Sequence, residues 1–158
     1  MTVKALASRL EELFINGTWI ANTNYNEILE DVTWQESERK IGNHNSIASV
    51  TFHINYYLEG VSEVFLNRPL TIRDKFSFDC QKITSEDEWK TRKTALVSNA
   101  KTLIGLVKQL PEDKLQHGFV KPEYGTYLRN INGLMEHSYY HLGQISLIKK
   151  LIRESSNL

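Results

Sequence analysis

The stretch EHSYYHLGQI places His137 and His141 four positions apart. In a helix, residues at i and i+4 share a face, one turn above the other. A neutral imidazole nitrogen is a good ligand for Zn²⁺, Ni²⁺ and similar ions, so such a pair supplies two ligands from one rigid turn. The same two residues also suit a packing seam, as polar groups satisfied by hydrogen bonds. Five histidines in 158 residues produce such pairs by chance, and spacing alone leaves both readings open.

The elements that must position them follow from apolar periodicity. Tyr127, Ile131, Leu134, Met135, Leu142, Ile145, Ile148 and Ile152 predict a long helix over about 124–153. Upstream, Val3, Leu6, Leu10, Leu13 and Phe14 predict a helix near 2–16 that stops at Asn16-Gly17. Ile47, Val50, Ile54, Leu58, Val61 and Phe65 predict another over about 45–66, capped by Asn45 or Ser46, with Pro69 beyond its end. Trp89, Leu96, Ala100, Leu103, Val107 and Leu110 mark one over about 86–110, opened by Ser85 and Glu88 as a capping box and closed by Pro111. Residues 18–44 are polar and irregular, with room for a short helix around 24–31. Residues 67–84 and 111–122 read as connections. No strand pattern competes. The expectation is an all-α single domain spanning 1–158, an antiparallel bundle of four helices.

On a helical wheel at about 100° per residue, with Ile131 at zero, His137 falls near about −120° and His141 near about −80°. Asn130 and Gln144 share that flank. With Ile47 at zero, His53 falls near about −120° on its own helix by the same count. Three histidines therefore sit at core margins, where facing helices leave clefts. A third imidazole from a neighbouring helix would complete a three-His site with positions open to water or substrate. His44 reads as a residue near a helix cap and His117 as a solvated loop residue. His44 or Asp79 would be the source of a fourth ligand if the site were closed. Cys80 lacks a partner at a familiar spacing and is not read as a nucleophile. Tyr56, Tyr57, Tyr139 and Tyr140 read as packing residues, and Glu86, Asp87 and Glu88 as helix N-terminal acids. No general base is singled out, since Glu136 lies far from the histidine flank.

Apolar residues make up 41% of the chain and charged ones 24%, an ordinary globular balance. Lys+Arg and Asp+Glu both total 19, which gives no electrostatic case for nucleic acid or an anionic membrane surface. One cysteine excludes an intrachain disulfide and fits a reducing compartment. MTVKALASRLEELF lacks a signal-peptide pattern, and no apolar run approaches the roughly 18 residues of a membrane span. These features predict a soluble, cytoplasmic protein.

The segments NSIASVTFHINYYLEG and YGTYLRNINGLMEHSYYHLGQISLIKKL, with helix order and lengths along the whole chain, resemble the DinB-like superfamily, which includes the YfiT-type metal-dependent enzymes. The most specific features are the histidine on the second long helix and the HxxxHxGQ pattern of His137, His141, Gly143 and Gln144. The resemblance implies a four-helix bundle of up-down-down-up topology, often dimeric, holding a divalent metal, commonly zinc or nickel. The family's ligand positions match His53, His137 and His141. Asn130 and Gln144 would orient ligands or substrate, or serve the core and caps. Some relatives are S-transferases or isomerases that use a low-molecular-weight thiol; a hydrolase would direct water at its substrate instead. The resemblance thus implies a metal-dependent transferase or hydrolase acting on a small molecule, the alternative being a non-catalytic metal- or small-molecule-binding protein. A homodimer is expected, with Trp19 and Trp34 as candidate interface aromatics.

Overall fold

The computed structural model describes residues 2–155, which form six α-helices and no strand. They are α1 (Val3–Glu11), α2 (Tyr25–Glu30), α3 (Trp34–Glu38), α4 (Ile47–Phe65), α5 (Glu86–Lys108) and α6 (Tyr127–Ser155). None is long and apolar enough to cross a membrane. The apolar stripes of α1, α4, α5 and α6 meet in one core that includes Leu6, Leu10, Ile54, Leu58, Leu103 and Ile145. α5 packs against α1 and α4, and α4 also packs against α6.

Local chemistry sets the ends of these helices. Of the two candidate caps of α4, Ser46 performs the role: its hydroxyl accepts the Ser49 N–H at 3.2 Å. Ser85 caps α5 by accepting the Glu88 N–H at 3.2 Å. The reciprocal half of that predicted capping box is shifted by one residue. The Glu88 carboxylate accepts from Thr84 N–H at 2.7 Å, so the same orphan donors near the helix start are served by a neighbouring geometry. The first helix ends in a π-helical turn, Glu12–Asn16, before Gly17. A Cβ on Gly17 would lie 2.0 Å from Glu12 Cγ, so only glycine lets the chain leave that turn so closely.

The irregular segment holds two short helices rather than one. α2, near the expected position, is capped by Asn24. α3 was not expected, although Thr33 and Glu36 form a complete capping box around its start. Tyr25 and Trp89 tie this segment to the core. The Tyr25 hydroxyl donates to Ser138 O on α6 at 2.7 Å, and Trp89 Nε1–H donates to Val32 O at 2.6 Å. Trp34 packs against the core, whereas Trp19 is 86% exposed.

At 29 residues, α6 is about 43 Å long. Its first turn is set by the 117–126 connection: Phe119 N–H donates to Gly125 O and Tyr127 N–H to His117 O. Its far end is pinned by Arg153, whose guanidinium donates to Glu36 and Asp31. The middle of this rod carries His137 and His141.

Candidate metal centre

α4 brings His53 to the flank of α6 that bears His137 and His141. The three Nε2 atoms converge: His137 Nε2 lies 3.1 Å from that of His53 and 3.0 Å from that of His141. The rings approach at steep angles, 70° for His53–His137, 66° for His53–His141 and 86° for His137–His141. Their ligand atoms all lie within 4.8 Å of one another. His53 and His141 are buried and His137 is half-buried.

The outward-facing nitrogens decide what the inward ones can do. His53 Nδ1–H donates to the carbonyl of Ser77 at 3.3 Å, and His141 Nδ1–H donates to Gln144 Oε1 at 2.7 Å. Each acceptor lacks a proton of its own, so it fixes the proton on Nδ1 and leaves an Nε2 lone pair facing inward. His137 can supply at most one proton to two such lone pairs. At least one nitrogen lone pair then faces another nitrogen in a largely buried site. This donor set fits a divalent transition metal, which would accept all three lone pairs, and the backing hydrogen bonds are those that orient imidazole ligands.

Electrostatics keep the imidazoles in their ligating form. Burial lowers the pKa of all three below the ordinary histidine value. For His53 the two neighbouring imidazoles add to burial, and its pKa falls to about 4. All three are therefore neutral at pH 7.

No further histidine, cysteine, aspartate or glutamate joins this group among the described residues. His44 and Asp79, the candidate sources of a fourth ligand, are exposed and remain outside it. His117 is exposed too. Cys80 is half-buried, and burial pushes its thiol pKa up, away from nucleophilic use at neutral pH. Asn130 directs its amide N–H groups to Tyr124 O and Thr126 O, both at 2.8 Å. It shapes the entry to α6, while Gln144 holds an imidazole.

The loop after α4 contributes what sequence reading missed. Phe78 stacks on His53, ring centroids 4.0 Å apart and planes within 11°, while Ser77 presents its carbonyl. Two tyrosines read as packing residues hold this loop on α4. The Tyr56 hydroxyl donates to Arg73 O at 3.0 Å and accepts Arg73 N–H at 2.8 Å. The Tyr57 hydroxyl donates to Asp74 at 2.6 Å; burial and that bond push its pKa up to about 12. The Tyr57 ring also lies against His53 and His137, at 5.1 and 5.2 Å between centroids. The signal for Tyr57 was its position four residues after His53; nothing in the sequence pattern marks Ser77 or Phe78.

Gln144 provides a direct test of the orienting bonds. Gln144→Leu removes the acceptor for His141 and is expected to weaken zinc binding about 10–100-fold, measured by competition with a chromophoric chelator. Gln144→Glu, which retains an acceptor oxygen, is expected to bind more tightly than the Leu variant. Equal affinities for all three proteins would remove the role assigned to this bond.

Comparison with known proteins adds no second line of evidence: no family model matches the chain, and neither characterised proteins nor solved structures yield a match.

Proposed function

We propose that this chain is a DinB-like, metal-dependent enzyme of the YfiT type, its helices arranged as an up-down-down-up bundle, acting on a small-molecule substrate. His53, His137 and His141 hold one divalent ion, zinc or nickel. The observation that carries this reading is the convergence of three neutral imidazoles with two of their protons fixed on the far side. When bound, the ion supplies Lewis-acid chemistry that makes a thiol or a water a better nucleophile at neutral pH. The thiol-dependent S-transferase is the first form of the reading and the hydrolase the second.

The chain's own residues do the remaining work. Ser77 and Gln144 keep the His53 and His141 rings in register. Phe78 covers one face of His53 and limits water there. Tyr57, anchored by Asp74, forms a wall beside His137. Three side-chain ligands rather than four in the group, among the described residues, favour an enzyme over a purely structural ion site, because a structural zinc is normally enclosed by four protein ligands. Trp19, an exposed aromatic, supports the homodimer that belongs to this reading.

Cobalt substitution tests it. Cobalt-loaded protein titrated with a low-molecular-weight thiol is expected to develop a new thiolate-to-cobalt charge-transfer band. A spectrum indifferent to every thiol and to azide would rule out an open site and leave a non-catalytic binding protein.

A further inference from the structure

Beside His137 opens a cleft of about 390 Å³. Its floor along α6 carries Arg129, Gly133 and His137 at four-residue intervals, flanked by Asn130 and Leu134. Tyr57 and Val61 of α4 form the facing wall, and Tyr124 closes one side.

Two features of this cleft are unexplained by folding. The first is Gly133. Glycine weakens the middle of a helix, and here no close approach demands it, because a Cβ at this position would meet nothing within 4 Å. The missing side chain leaves the floor open between Arg129 and His137. The second is Arg129. Its guanidinium forms no ion pair with any described residue, and no carboxylate lines the cleft. The α4 wall between the two ends is aromatic and aliphatic, and the amide N–H groups of Asn130, the polar residue of the floor between them, are taken by Tyr124 O and Thr126 O.

A guanidinium at one end of an apolar slot selects a carboxylate through paired N–H donors. We propose that this cleft binds small monocarboxylates with a short apolar or aromatic body: the carboxylate sits on Arg129, the body lies over Gly133 between Tyr57 and Val61, and the far end points to His137. The carboxylate recognition rests on the cleft alone. That the far end meets a metal rests on the function proposed above. Arg129 and His137 lie eight residues apart on α6, about 12 Å along its axis.

The probe is 3-phenylpropionate, with 3-phenylpropan-1-ol as its uncharged counterpart, titrated into metal-free protein and followed by ¹H–¹⁵N NMR. The acid is expected to shift the Val61, Gly133 and Leu134 amides and to bind at least tenfold more tightly than the alcohol. Arg129→Ala, an exposed helical position where alanine is well tolerated, should cost the acid at least tenfold and leave the alcohol unchanged. Arg129→Gln should behave likewise. Gly133→Leu, with its helicity checked by circular dichroism, should abolish binding of both. Equal binding of acid and alcohol, no binding of the acid by about 10 mM, or an unchanged acid affinity in Arg129→Ala would overturn the inference. Zinc content measured on the same proteins separates the two proposals. Zinc uptake without acid selectivity removes this inference and leaves the metal site standing. Acid selectivity without zinc uptake upholds it and removes the metal.

Discussion

Replacing His137 and His141 together by alanine is expected to take metal content from about one ion per chain, after zinc or nickel loading, to near zero. The pair would supply two of the three candidate ligands, and a lone His53 on a helix face offers no chelation. Elemental analysis after removal of free metal gives the stoichiometry. Helical circular dichroism should stay near that of the wild type, because the core of α1, α4, α5 and α6 is built from apolar residues and includes neither histidine. Chelator-treated wild-type protein should likewise stay helical while its melting temperature drops, since an ion bound only to the native state stabilises it by mass action, about 2.7 kcal/mol at a hundred times Kd. Unchanged metal content in the double variant would sink the three-histidine site. Collapse of helicity on chelation would instead make the ion part of the folding equilibrium, as in zinc fingers, and weaken the case for an enzyme.

Trp89→Ala is expected to be the most destabilising single substitution in the protein's scaffold. The indole is fully buried, and truncating a buried tryptophan typically costs about 3–5 kcal/mol. Its N–H also satisfies Val32 O in the turn between α2 and α3. Removing that donor leaves the carbonyl short of a partner, a loss on the order of 1–3 kcal/mol when water cannot replace it. Trp89→Phe separates the two effects by keeping an aromatic ring and deleting only the donor. Urea denaturation should place Phe between wild type and Ala, with the Ala variant melting on the order of 10 °C lower. Phe and Ala variants of equal stability would mean that the hydrogen bond, rather than packing, dominates at this position.

Local signals carried much of the fold. Ser46 and Ser85 lie where a hydroxyl precedes an apolar stripe, and capping depends on only three or four neighbouring residues. α3 shows the same principle in reverse. Its Thr33 and Glu36 box was present in the sequence, but a helix of five residues has too few turns to show periodicity, so the polar segment hid it. The histidines were legible in stages. Wheel positions put His53, His137 and His141 at core margins, but whether those margins face each other depends on how α4 crosses α6. Only the family resemblance paired them before the structure did. Gln144, three residues after His141, was reachable from helical spacing. Ser77 and Phe78 were not, because a loop's path is set by what it lands on, and here that is Tyr56, Tyr57 and the ring of His53.

The attachment of that loop sets a rule for insertions and deletions. Ile72 fills the space that a Cβ on Gly60 would need, Arg73 is held at both its N–H and its C=O by Tyr56, Asp74 is held by Tyr57, and Ser77 and Phe78 meet His53. From 72 to 78 the chain works as a ruler laid along α4, with its marks at fixed residue counts. Extra residues within Asn67–Pro69 lengthen an exposed link, where each doubling of loop length adds only about 0.6 kcal/mol of closure entropy. One residue added or lost between Asp74 and Ser77 shifts the last marks off the imidazole, and His53 loses the partner that fixes its proton. Homologous chains that keep this site should therefore vary in length before position 72 and hold their count from there to 78.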